Sequence, residues 1–133
     1  MTKKIMIIDD EPDIRTYLMA ILEDNGFSVC TVLDNTEVKK GVLSEKPDLI
    51  ILDIMMPQRS GISIYKELRT CSALNAIPVA LISGMMPEKD FIEKEFPALV
   101  DDKSVSPPDG YIEKPVQVEK LVALVTQLVE ERG

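Results

Sequence analysis

Leu49-Ile50-Ile51-Leu52-Asp53-Ile54-Met55-Met56-Pro57-Gln58-Arg59-Ser60-Gly61 is the stretch on which the reading of the fold turns. Its first four residues form a short apolar run of the kind that makes a parallel strand buried on both faces. The run stops abruptly at a carboxylate, Asp53. Pro57 and Gly61 then supply a turn, after which Ile62, Tyr65 and Leu68 recur at helical spacing.

The same strand-then-helix rhythm recurs on both sides, five times in all. Residues 4–8 make a first apolar strand. Pro12 then suits a first helical position, with Ile14, Tyr17, Leu18, Ile21 and Leu22 facing inward and Gly26 as the stop. A second strand is expected over 27–32, and a weaker helix over roughly 36–45 turns Val38, Val42 and Leu43 inward. The fourth strand covers 77–82. Pro87 opens a helix carrying Phe91, Ile92 and Phe96, with Glu88 and Asp90 near its positive end. Tyr111-Ile112 is a very short fifth strand. Val118, Leu121, Val122, Val125, Leu128 and Val129 stripe a final amphipathic helix.

Five such units predict an α/β fold: a doubly wound (βα)5 sandwich with a five-stranded parallel sheet and right-handed crossovers. The flavodoxin-like order 2-1-3-4-5 is the doubly wound choice at this size. Residues 1–133 read as a single domain. The stretch 97–110, with Asp101, Asp102, Pro107 and Pro108, breaks the rhythm and reads as a surface loop or an irregular helix extension.

Composition removes several function classes. The 133 residues are 45% hydrophobic and 29% charged, as a soluble globule with a real core requires. No apolar run approaches the ~20 residues that span a bilayer, and the start lacks the apolar stretch of a signal peptide. Cys30 and Cys71 lack metal-like spacing, which suits ordinary thiols in a reducing compartment, so the cytoplasm is the expected location. The net charge of −8 without a long basic run argues against direct nucleic-acid binding, and no membrane association is expected. With no histidine, a phosphohistidine carrier, a Ser-His-Asp hydrolase and a His-ligated zinc site are all excluded.

In an open parallel sheet, ligands bind beyond the carboxyl ends of the strands. The first strand ends in Asp9-Asp10 followed by Glu11, the third in Asp53, the fourth in Ser83, and the fifth runs into Lys114-Pro115. Taken singly, the first acidic run would cap a helix, Ser83 would do likewise, and Lys114 would be a solvated lysine. Jointly, the crowded carboxylates call for a counter-charge. Oxygen ligands without His or Cys point to a hard divalent cation, Mg2+ or Mn2+. A carboxylate can attack phosphorus to give an aspartyl-phosphate, and such transfers depend mainly on positioning and charge neutralisation. The expected roles are therefore Asp53 as phosphoacceptor, with the metal, Lys114 and Ser83 each taking one phosphoryl oxygen.

These residues resemble the receiver domain of two-component response regulators over essentially the whole chain. The matching features are Asp9-Asp10 after an apolar strand, the segment from Asp53 to Gly61, Ser83, and Tyr111-Ile-Glu-Lys114-Pro115. The resemblance implies Asp53 as acceptor and as a metal ligand too, Asp9 and Asp10 as the metal pair, and Met55 as donor of a backbone carbonyl to the metal. It also implies Lys114 and Ser83 as phosphate-sensing residues, a cis bond before Pro115, and Tyr111 as an aromatic whose orientation follows phosphorylation. The implied partner is a sensor histidine kinase or a histidine phosphotransfer protein, with homodimerisation through the face of helix four, strand five and helix five. Met55 and Met85 sit where the family tunes water access, and two apolar side chains would shield the phosphoryl group. The interval from Ser83 to Lys114 is several residues longer than usual, and the excess falls in 97–110, on or beside that face.

Other classes fit less well. A haloacid-type phosphatase expects an acid where Met55 stands. A flavin mononucleotide carrier wants hydroxyls and glycines where Asp9-Asp10-Glu11 stand. A degenerate receiver serving only as an interaction module would lack site residues that are present here.

Overall fold

The computed structural model describes residues 2–32, 37–54, 61–84 and 88–132. Its elements are β1 (Lys4–Ile8), α1 (Pro12–Asp24), β2 (Ser28–Thr31), α2 (Val38–Glu45), β3 (Leu49–Asp53), α3 (Gly61–Thr70), β4 (Val79–Ser83), α4 (88–100), β5 (Gly110–Glu113) and α5 (Val118–Arg132). The strands form one sheet in the order β2-β1-β3-β4-β5, every neighbour parallel, as the sequence predicts.

Period-two alternation splits the strand side chains between two apolar layers. Met6, Ile8, Ile50, Leu52, Val79, Leu81 and Tyr111 face a layer covered by α2, α3 and α4. Ile5, Ile7, Leu49, Ile51, Ala80, Ile82 and Ile112 face α1 and α5. Both faces being dry, β3 and β4 are buried at every position, which explains their uninterrupted apolar sequence.

Local chemistry sets the helix ends. Pro12 occupies the first turn of α1, where its missing N–H costs nothing. At the other end, Gly26 takes φ 89°, its N–H bonds Glu23 O at 3.2 Å, and Phe27 N–H bonds Leu22 O at 3.0 Å. That pair of bonds is a Schellman stop, and it requires the left-handed conformation that glycine adopts freely. Tyr17 and Leu43, expected inward, are 44% and 45% exposed. Each lies on the flank of its helix, where helical spacing alone does not separate the core stripe from its margin. Val118 is likewise exposed, at the first position of α5.

Helix α4 departs most from regularity. It begins as Glu88–Asp90, widens to a π-helical turn over Phe91–Glu95, and resumes as Phe96–Val100. Pro97 is the cause: it has no N–H for the carbonyl four residues back, and its ring crowds that carbonyl. The Phe96 N–H instead reaches Phe91 O, five residues back. Of the two readings of 97–110, an irregular helix extension describes residues 97–100, and non-helical backbone begins at Asp101 with φ 48°. The stretch is not merely a surface excursion, because Val100 and Val105 enter the core beside Tyr65 and Phe96.

Polar contacts fasten the same segment to α3 and β4. Tyr65 Oη donates to Ser106 O at 2.7 Å, and the buried Arg69 guanidinium donates to Asn75 O, Ile77 O, Tyr65 Oη and the Asp109 carboxylate. Asp109 in turn accepts from Val79 N–H at 2.9 Å. The segment is therefore fastened to α3 and to the start of β4.

Cys30, on β2, carries a thiol pushed up to about 11, chiefly by burial and further by the Glu45 carboxylate. Only the thiolate alkylates, so each pH unit below that value costs roughly tenfold in rate. Iodoacetamide labelling of a Cys71→Ser protein is expected to climb steeply between pH 7.5 and 9.5, and a flat profile would contradict this environment.

Candidate functional site

Strand register brings the predicted residues to one edge. Ile8 pairs with Leu52, so Asp9 and Asp10 leave β1 beside Asp53 at the end of β3. Asp53 pairs with Ile82, and Ser83 follows one residue further along β4. Ser83 pairs with Glu113, and the Lys114 N–H bonds Ser83 O at 3.0 Å, which carries the lysine to the same edge. The Lys114–Pro115 peptide bond is cis.

Asp9, Asp10 and Asp53 each present a carboxylate oxygen within 4.8 Å of the others. Asp53 and Ser83 are fully buried and Asp9 is nearly so. Asp9 Oδ1 accepts the Glu11 N–H at 2.9 Å, which turns the other oxygen, Oδ2, into the cluster. Asp9 Oδ2 and Asp10 Oδ1 are buried and make no hydrogen bond among the described residues. Burial raises the Asp9 pKa, against a smaller lowering by the Glu11 N–H and the Lys114 charge. Two orphaned carboxylate oxygens among three clustered acids are costly unless a cation completes the set. The donor set is all oxygen, so the residues present fit a hard divalent ion.

The Lys114 ammonium lies 3.9 Å from Asp53 Oδ2 and 3.8 Å from Glu11 Oε1. It is thus positioned to neutralise charge that builds on Asp53. Tyr111, on β5, is buried and stacked on Phe91 with ring centroids 4.8 Å apart. Such a pair adds about 0.5–1.5 kcal/mol beyond area burial. The run of ring contacts continues from Phe91 to Phe96 and from Phe96 to Tyr65, the ring whose hydroxyl holds Ser106. Met55 and Met85, expected as metal contact and shield, lie outside the described residues, as do Pro57 and Pro87.

Two contributors were not anticipated. The Arg15 guanidinium donates to Asp9 O at 2.7 Å and braces the acidic turn from α1. Its position one helical turn after Glu11 was the available signal. Gly61 N–H bonds Ile54 O at 3.3 Å, and a Cβ on Gly61 would meet the Asp53 carbonyl oxygen at 2.2 Å. Gly61 thereby lets the start of α3 press against the end of β3.

Comparison with known proteins gives a consistent result. A family model described as the response regulator receiver domain matches residues 5–126. The alkaline phosphatase synthesis transcriptional regulatory protein PhoP of Bacillus subtilis is 40% identical over 90 residues, covering 68% of this chain and 37% of that protein. The transcriptional regulatory protein PrrA of Mycobacterium tuberculosis is 31% identical over 133 residues, 98% of this chain and 51% of its own length. The chain thus spans about half or less of these curated relatives. Among solved structures, the receiver domain of the Francisella response regulator 1452 superposes with a TM-score of 0.79 at 27% identity, covering 99% of this chain and all of that one.

Proposed function

We propose that this chain, which belongs to the response regulator receiver domain family of two-component signal transduction, takes a phosphoryl group onto Asp53. The observation that carries the assignment is the convergence of Asp9, Asp10 and Asp53 within 4.8 Å, with Lys114 Nζ 3.9 Å from Asp53 Oδ2. The donor in this reading is a phosphohistidine of a histidine kinase or a histidine phosphotransfer protein, since response regulators partner with histidine kinases.

An Asp53 carboxylate oxygen attacks phosphorus as the phosphorus–nitrogen bond to the donor imidazole breaks, and the bonding pair stays on that nitrogen. The product is an acyl phosphate. Water later attacks phosphorus and returns Asp53 to a carboxylate. Asp9 and Asp10 would hold Mg2+ or Mn2+, which when bound supplies positive charge to a phosphoryl oxygen. Lys114 places its ammonium on a second oxygen as the charge develops, and the Ser83 hydroxyl donates to a third. Asp53 is itself fully buried, which limits the access of bulk water to its carboxylate.

Phosphorylation then biases an equilibrium between two arrangements of the surface, felt through Ser83 and Tyr111. In this reading residues 1–133 act as one domain. The Phe91 stack makes the cost of turning Tyr111 outward part of that equilibrium. No described helix is long and apolar enough to cross a membrane.

Incubation with Mg2+ and a small acyl phosphate is expected to add one phosphoryl group to the wild type and none to Asp53→Ala, read by intact mass. Equal labelling of the two would overturn the assignment.

A further inference from the structure

We propose that Glu11 is a positioning residue which holds the Lys114 ammonium partly away from Asp53 until a phosphoryl group draws it across. The proposal rests on the reading of Asp53 as phosphoacceptor. The geometry points to a shared ammonium. Its distances to Glu11 Oε1 and Asp53 Oδ2, 3.8 and 3.9 Å, both exceed the ~2.7–3.2 Å of a formed N–H···O bond. The charge sits between two carboxylates and is committed to neither.

Glu11 is built to compete. Its backbone is pinned on both sides: its N–H donates to Asp9 Oδ1 at 2.9 Å, and its carbonyl accepts the Arg15 N–H at 3.0 Å. Glu11 is the N-cap residue of α1, and its side chain makes no capping bond, so its carboxylate is not tied to the first turn of the helix. The carboxylate therefore projects from a fixed origin toward the lysine.

The two attractions are of different kinds. Asp53 is fully buried, so its pull on the ammonium is strong but requires the lysine to lose water. Glu11 is 59% exposed, so its pull is screened but asks for no desolvation. Opposed terms of this sort leave the two partners close in free energy, and a lysine stem passes between them by rotations alone. Added phosphoryl charge on Asp53 decides the contest. Glu11 thus sets how much of the lysine's charge is available before transfer.

The test uses Glu11→Gln and Glu11→Asp in the full chain. The probe is beryllium fluoride with Mg2+, a phosphoryl mimic on carboxylates, and its affinity is measured by calorimetry. An exposed ion pair is worth ~0.2–1 kcal/mol, so releasing Lys114 should tighten binding by a factor between about 1.4 and 5. The shorter Asp side chain keeps the charge but retracts it from Lys114. Glu11→Asp is therefore expected to bind as tightly as Glu11→Gln, and Lys114→Met is expected to erase the gain from either. If Glu11→Asp matches wild type while Glu11→Gln tightens, a general field effect replaces the positioning role. Unchanged affinity in both variants would equally overturn it. Failure of wild type to bind, or undiminished binding by Asp53→Ala, would instead remove the phosphoacceptor reading itself.

Discussion

Replacing Gly61 by alanine is expected to destabilise the fold by on the order of 3 kcal/mol, at or above the upper end of ordinary overpacking, and to abolish loading of Asp53 with it. The added methyl carbon would lie 2.2 Å from the Asp53 carbonyl oxygen, 2.4 Å from Ile54 Cα and 2.9 Å from the Asp53 carbonyl carbon. These are backbone atoms of the last residue of β3 and the residue after it, and β3 is hydrogen-bonded to β1 on one side and β4 on the other. A side chain could swing away from the intruder, but a central strand cannot. The strain must push α3 outward, break the Gly61 N–H bond to Ile54 O, and tilt Asp53 off its neighbours. Gly26→Ala is the natural comparison. There the left-handed φ of 89° is the whole penalty, because a Cβ would meet nothing within 4 Å. That variant should lose only ~1–2 kcal/mol and load normally. Urea midpoints and intact-mass labelling of both proteins decide the matter. A Gly61→Ala protein as stable as Gly26→Ala would show that the junction of β3 and α3 is looser than drawn.

The contrast between these glycines shows what a linear reading reaches. Both were seen as turn or stop residues, because glycine after a helical stripe or before a new one is a local signal. Only the register of β3 against α3 reveals that Gly61 touches the backbone beneath Asp53. The sheet order and the residues at its carboxyl edge were legible for a related reason. Buried parallel strands leave unbroken apolar runs, so the polar residue ending each run stands out; Asp9, Asp53 and Ser83 are such residues, and Lys114 stands one place beyond Glu113 at the end of β5. Side-chain burial on helices was less legible. Tyr17 and Leu43 fit the inward spacing and still face solvent, because their helices cover the sheet with a narrower stripe than periodicity allows. The prolines and acids of residues 97–110 signal a surface loop or an irregular helix extension and nothing more. Their true anchor lies in distant partners, Tyr65 and Arg69 on α3, which no local pattern announces. The π-helical turn before Pro97 belongs to the same class, since a proline predicts an interruption but not how the preceding turn absorbs it.

Asp9→Asn is expected to be the more stable protein without Mg2+ and the less stable one with it. In the metal-free protein, Asp9 is a buried carboxylate beside Asp10 and Asp53, with one oxygen lacking any hydrogen bond among the described residues. Its raised pKa, caused first by burial, means that the ionised form is disfavoured in the fold. The amide has nearly the same shape, removes one of the three clustered charges, and offers two N–H donors to the remaining carboxylates. Relief of a buried unsatisfied group is worth about 1–3 kcal/mol, so the variant should be the more stable protein in EDTA by an amount of that order. Adding Mg2+ should reverse the ranking. A ligand that binds only the folded state stabilises by RT ln(1 + [L]/Kd), about 2.7 kcal/mol at a hundredfold excess over Kd. Wild type should gain on that scale, whereas the variant, stripped of an anionic ligand, should gain little at the same concentration. Urea unfolding of the two proteins, each with EDTA and with saturating Mg2+, gives all four values. Crossing lines would tie the cluster's instability and its metal affinity to one cause: Asp9 is held where it is unfavourable alone so that it is ready for a cation. Parallel lines, with Mg2+ stabilising both proteins equally, would place the ion elsewhere and leave the cluster's strain without a purpose.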